Sequence, residues 1–358
     1  MDFRLTSEQK ILRNSAREFL DRECPASLVR EAENSGTGHI PGLWEKMAEL
    51  GWLGICLPQH YGGLDRPFTD QAILFEELGR ALAPGPLLTS SVLAAYVILY
   101  GGNDRQKKDL LPGMIKGEIV LTVARGDGLE TFSQSSGLVL SGESSFVRHA
   151  RLADHIICAT RPAIGAWPDT TLVLADTGAE GVIMTGMESI ANYPQCMVEF
   201  HDVSLSDDAI LGEIAEGRVA LELAVQRATV IQCAETLGRS HKVLEMVVAY
   251  AKDRMEIGRS QSVQHRCADL KIALDTNRLL TYQAAWKLDQ SLPARDEISM
   301  AKAQSGTLSR LSTMTGHSIL GEIAFTSGHD MQLYSNRAKL AEANLGDTEY
   351  HLDQLIAD

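Results

Sequence analysis

The sequence predicts a mainly α protein with a central β domain: an N-terminal α-helical domain over residues 1–120, a middle β-sandwich or barrel over 121–212, and a C-terminal four-helix bundle over 213–358. Three observations carry this expectation. Nine of the eleven prolines lie between Pro25 and Pro168, and only Pro293 follows Pro194, so long helices become possible only late in the chain. Between about 121 and 212, short apolar runs alternate with Gly, Asp and Pro, which is the spacing of close-set strands. Beyond 213 the apolar positions recur with helical period, as in Leu221, Leu223, Val230, Ala234 and Leu237.

Taken in order, "TSEQKILRNSAREFLDREC" opens with a capping box at Thr6 or Ser7 and places Ile11, Leu12, Ala16 and Leu20 on one helix face. "TDQAILFEELGRALAP" repeats the device, starting at Thr69 and ending near Gly79 and Pro84. The runs "GLVLSGESSFV", "DHIICAT", "TTLVLAD", "GVIMTG" and "CMVEFHDVSL" read as strands. Four helices follow, over roughly 217–253, 262–290, 296–319 and 331–345, with Pro293 marking a link between two of them.

Composition narrows the function classes. At 358 residues, with 44% hydrophobic and 22% charged residues, the chain can bury a large core and carries no sign of disorder. A formal charge of -14 argues against a sequence-independent grip on nucleic acid, which needs a basic face to displace counterions. The six cysteines are scattered, with neither a CxxC pair nor a His/Cys spacing that would hold a metal, so no metal is expected. The N-terminus is polar from its first residues, and no apolar run approaches the ~18 residues of a membrane helix. No membrane span and a cytoplasmic location are the expectation.

The most specific stretch is "YAKDRMEIGRSQSVQHRCADL" at 250–270, in which Tyr250, Ala251, Arg254 and Gly258 are followed by Gln261, Gln264, His265, Ala268 and Asp269. "LPQHYGGLD" at 57–65, "LPGMIKGEI" at 111–119, "RLLTYQAAWKLD" at 278–289 and "FTSGHDMQLYSNRAK" at 325–339 surround it. In this order and spacing the chain resembles, along essentially its whole length, the acyl-CoA dehydrogenase family. The resemblance implies an FAD enzyme that takes a proton from the α-carbon and a hydride from the β-carbon of a CoA thioester. Such chemistry needs a flavin held flat on the acyl chain, donors that polarise the thioester carbonyl, and one carboxylate base.

Residue by residue, the resemblance assigns Arg254 to the arginine that reaches across a subunit interface to the FAD pyrophosphate, with Gln261 beside it. A cation near a helix C-terminus is the bland alternative for Arg254. Phe146 falls where the family packs an aromatic ring against the flavin, although an ordinary core-facing strand residue would read the same way. Arg148 stands where a small hydroxyl residue is usual. "VARGDG" at 123–128 keeps none of the Thr-Glu-Pro side chains that meet the flavin elsewhere. In "SILGEIA" Gly321 survives from a glycine-rich approach to the ADP half of FAD, but Glu322 and Ala324 replace glycines. A carboxylate facing a pyrophosphate would cost up to ~4 kcal/mol per charge pair at ~4 Å.

The same comparison puts the family's base position on Leu345, before Gly346, and the alternative base position on Gln226, before Arg227. Neither side chain takes a proton. Glu342, one turn earlier and ~4.5 Å away along the axis, is a weak candidate that reads more simply as a helix-face carboxylate near Lys339. The implied protein is therefore a base-lacking subunit like those of heterotetrameric, steroid side-chain type acyl-CoA dehydrogenases, paired with a catalytic homologue as a dimer of heterodimers. Its substrate is an acyl-CoA, and an electron-transferring flavoprotein is the acceptor expected from the family. The rivals are a self-sufficient dehydrogenase using Glu342 and a flavin-free scaffold of the same fold.

Overall fold

Thr6 does cap the first helix: its Oγ accepts from the Gln9 amide at 3.2 Å, and the Gln9 side chain accepts from the Thr6 amide at 3.1 Å. The structure, a computed structural model of the chain, describes residues 3–36, 38–126, 128–134, 137–162, 170–191 and 193–356. In chain order it forms α1 (Ser7–Glu23), α2 (Ala26–Asn34), α3 (Leu43–Glu49), α4 (Phe68–Ala81), a π-helical segment (Leu87–Ala94), α5 (Ala95–Gly101) and α6 (Asp104–Ile115). Seven strands follow: β1 (Leu121–Ala124), β2 (Leu129–Gln134), β3 (Gly137–Arg148), β4 (His155–Pro162), β5 (Thr171–Asp176), β6 (Val182–Gly186) and β7 (Gln195–Leu205). The chain ends in α7 (Gly217–Asp253), α8 (Met255–Gly258), α9 (Gln261–Asp289), α10 (Arg295–Leu320), α11 (Met331–Ala343) and α12 (Thr348–Ile356). None of the described helices is long and apolar enough to cross a membrane.

Two compact units share these elements: one made of Ala32–Asp65 and Pro84–Ala228, the other of the chain up to Glu31, Arg66–Ala83 and the chain from Thr229 on. The first holds all the strands. They form one mixed path, β1-β4-β2-β3-β7-β6, with β5 added on β4. Leu129, Leu140, Ile156, Val173, Val198 and Phe200, from the five strands β2, β3, β4, β5 and β7, meet in a single buried core, so the sheet wraps over it. β1 and β2 escape the sequence reading, because "LTVA" is short and "LETFSQ" is half polar. The buried π-helical segment helps to seat β1, since the Leu121 amide donates to Ser90 Oγ at 3.2 Å. In β3 the pairing with β7 shifts register between Ser144 and Val147, a bulge that decides where the next residue points.

In the second unit α10 packs against α9, α11 and α12, while α4 packs on α1 and α9. Thr69 does not cap α4. The helix begins at Phe68, and both first-turn amides, of Phe68 and Thr69, donate to the carboxylate of Asp289 at the end of α9, the second at 3.1 Å. The bundle helices lie where periodicity puts them, and α12, which the sequence reading lacks, closes over α10. Two acidic side chains of α4 are buried and paired: Glu77 takes a two-pronged bond from Arg17 at 2.7 and 2.8 Å, and Glu76 accepts from Tyr282 at 2.8 Å and from Arg278.

Candidate active site

At the end of α11 the chain makes a turn through two left-handed residues, Leu345 (φ 59°) and Gly346 (φ 92°). Glycine adopts that conformation freely; leucine does so at a cost of roughly 1–2 kcal/mol. The turn persists because its carbonyls are held. The Lys302 Nζ, 2% exposed on α10, donates to the carbonyls of Ala341 and Glu342 at 3.2 Å each and of Gly346 at 2.7 Å, so all three of its protons are used. His351 on α12 donates from Nε2 to the Leu345 carbonyl at 2.9 Å, which fixes the tautomer and leaves Nδ1 facing Ser299 Oγ at 3.4 Å. Burial lowers the pKa of both Lys302 and His351 from their ordinary values.

Glu342 stands on this helix end with its carboxylate engaged, 2.6 Å from Arg310 and 3.4 Å from Lys339. Leu345 is half-buried beside it. The turn thus brings together the expected base position and the weak candidate, and the only carboxylate of the two is already paired with two cations.

Arg254 and Gln261 flank α8. Arg254 leaves helical geometry at φ -120°, ψ 88° and so separates α7 from α8; its exposed guanidinium lies 4.4 Å over the Tyr250 ring, the residue one turn earlier. Gln261 is the exposed first residue of α9. Gly258 between them has no room for a side chain, because a Cβ would strike the Ala251 carbonyl. Val248, Ala251, Met255, Gly258, Val263 and Cys267 line a shallow groove of about 450 Å³ at this junction. Gly321 ends α10 with φ 68° and ψ -143°, a backbone shape open to glycine alone, and a Cβ there would meet nothing within 4 Å. Glu322 is exposed, whereas Ala324 is fully buried and faces the protein.

In the unit that holds the strands, Phe146 is not a core residue. The β3 bulge puts it at φ 60° with 65% of its surface exposed, an outlier for a bulky side chain and a ring presented to solvent. Arg148 is half-buried, its guanidinium 5.1 Å over the Tyr193 ring, and its carbonyl accepts from Thr122 Oγ at 2.6 Å. In the "VARGDG" stretch the Arg125 carbonyl accepts from Ser144 Oγ of β3 at 3.0 Å, and Asp127 lies outside the described residues. Gln226 is half-buried on α7, next to Arg227, which lies over Tyr96 and Tyr100 at 4.9 and 5.6 Å and donates to the Tyr100 hydroxyl.

The sequence reading missed Lys302 and His351. The signal for the lysine was a lone cation on a helix face of small residues, Ser299, Ala303, Ser305 and Gly306, where a solvated side chain is out of place. Among the described residues no group of three or more His, Cys, Asp or Glu is placed to hold a metal.

Comparison with known proteins identifies the class. Residues 6–118 match the acyl-CoA dehydrogenase N-terminal domain and residues 215–358 the C-terminal domain of the same family. The chain belongs to the acyl-CoA dehydrogenase family. It is 26% identical to the acyl-CoA dehydrogenase IpdE2 of Mycolicibacterium smegmatis, over 99% of each chain. Among solved structures it is similar to the ChsE4-ChsE5 complex from Mycobacterium tuberculosis, with a TM-score of 0.92 at 23% identity over 100% of this chain and 98% of that one. It is also similar to a glutaryl-CoA dehydrogenase from Mycobacterium smegmatis in complex with FADH2, with a TM-score of 0.90 at 18% identity over 98% and 94%.

Proposed function

We propose that this chain is a subunit of an FAD-dependent acyl-CoA dehydrogenase, desaturating the α,β bond of a CoA thioester from a steroid side chain or another lipid, and that a homologous partner carries the base. One observation carries this reading: neither Leu345 nor Gln226 can accept a proton, and the neighbouring Glu342 is held by Arg310 at 2.6 Å. A general base must reach its proton with a free lone pair, and a carboxylate committed to two cations is poorly suited to it.

The residues present suit FAD. Phe146 offers an exposed flat ring, Arg254 and Gln261 offer exposed donors on either side of a groove, and Gly321 leaves open space for a close approach. Bound FAD would supply the hydride acceptor. In this reading Phe146 stacks on the flavin, Arg148 flanks it, and Arg254 and Gln261 complete the pyrophosphate site of the partner subunit. An electron-transferring flavoprotein would be the acceptor for such an enzyme. That the ChsE4-ChsE5 neighbour is a complex, and that the glutaryl-CoA dehydrogenase neighbour was solved with FADH2, supports both halves.

Glu322 favours a second reading. An exposed carboxylate directly after Gly321 repels a pyrophosphate, as a flavin-free scaffold would tolerate. Co-expression with a base-bearing acyl-CoA dehydrogenase homologue decides between them. The expected outcome is a yellow complex that oxidises acyl-CoA, a chain without turnover alone, and a Glu342→Gln complex with kcat within about twofold of the parent. Loss of a base would instead cost on the order of a hundredfold or more. A colourless complex would establish the scaffold, and a chain that binds one FAD and turns over unaided would end the partner proposal.

A further inference from the structure

We propose that Lys302 is a positioning residue: its buried ammonium pins the carbonyls on both sides of Leu345, so position 345 keeps the geometry of a base seat although leucine fills it. The catalytic meaning rests on the proposal that 345 is the base position; the geometry does not.

Three features of the molecule lead here. A lysine 2% exposed is uncommon unless its charge is met, and here each of its three protons goes to a backbone carbonyl, of Ala341, Glu342 and Gly346. Those carbonyls belong to the last turn of α11 and to the residue after Leu345, so one cation on α10 ties the helix end to the far side of the turn. Orphan carbonyls at a helix C-terminus ordinarily face water or a local cap; a cation from another helix instead fixes where the end lies.

The turn is also held redundantly. His351 takes a further carbonyl, that of Leu345, at 2.9 Å, and Asn344 donates to Gln232 Oε1 at 2.7 Å, the Gln232 side chain being buried. A left-handed leucine would relax out of its conformation if the turn were free to do so. A merely solvent-facing loop would not need three buried partners to stay in a shape that costs energy. A proton acceptor works only if held within a fraction of an ångström of its target, which is the service such a cage renders.

Amide exchange on the full chain tests the hold on the turn. Lys302→Met is expected to speed exchange at Glu342, Ala343 and Asn344 by about a hundredfold while amides in α9 change by less than about threefold, and Lys302→Arg, which keeps the cation, is expected to recover most of the protection. Uniform loss of protection through α9, α10 and α11, or none at all, would overturn the proposal. Should Lys302→Met not fold, His351→Gln, which releases only the Leu345 carbonyl, reads the same local amides. In the FAD-loaded chain, L345E is expected to let butyryl-CoA bleach the flavin. Adding K302M should lower kcat at least tenfold with KM within about twofold. Equal loss in both constants, or none, would overturn the positioning role. An L345E chain that never bleaches would sink the base-seat assignment, while the exchange result still decides whether Lys302 holds the turn.

Discussion

Single residues in this chain carry strain that only function or a local cage explains. Phe146 and Leu345 both take left-handed backbone conformations that glycine would adopt without cost. Leu345 is caged by hydrogen bonds, but the Phe146 ring is 65% exposed, so burial does not repay its strain. Phe146→Gly is therefore expected to raise the stability of the flavin-free chain by about 0.5–1 kcal/mol, read as a higher unfolding midpoint in urea. The same substitution should weaken FAD retention by about tenfold, since a flat ring contact contributes on the order of 0.5–1.5 kcal/mol beyond its area. A core phenylalanine would behave in the opposite way, losing about 3 kcal/mol or more. Sequence alone left the two alternatives level, because a strand residue's facing direction follows from register, and the bulge between Ser144 and Val147 resets that register.

Elements were legible to the degree that their cause is local. The 3.6-residue period announced α7, α9, α10 and α11, and the Thr6 to Gln9 spacing announced the start of α1, because both signals lie within a few turns of chain. The start of α4 was legible only in part. Thr69 has the chemistry of a cap, yet the caps on Phe68 and Thr69 come from Asp289, more than two hundred residues away, and no local pattern encodes that. The candidate site divides the same way: motif spacing singles out Arg254, Gln261 and Leu345 as candidates, whereas the contacts of Lys302 and His351 are made only in the folded chain. Asp289→Ala is expected to cost about 1–2 kcal/mol, while Thr69→Ala costs a few tenths. Thermal unfolding of the two variants checks this, and equal losses would return the cap to Thr69.

At the scale of the whole molecule, acid should act unevenly. Burial lowers the pKa of His241, His317 and His351 below the ordinary 6.5, and all three belong to the unit that contains α10, α11 and α12. A histidine with a lowered folded pKa takes up its proton first in the unfolded chain. As pH falls through 6.5 the unfolded state binds more protons than the native one, and stability drops until each folded pKa is reached; above 6.5 the contribution is fully present. Glu245 and Glu76 act against the shift at His241, and the Leu345 carbonyl acts against it at His351, so the lowering that survives is a burial effect that unfolding relieves. Amide exchange in α10 and α11 is therefore expected to accelerate between pH 7.5 and 5.0, after correction for intrinsic rates. The H241Q/H317Q/H351Q triple variant should show a shallower fall in unfolding midpoint over the same interval. A midpoint that falls just as steeply without these three rings would overturn the assignment of the acid sensitivity to them.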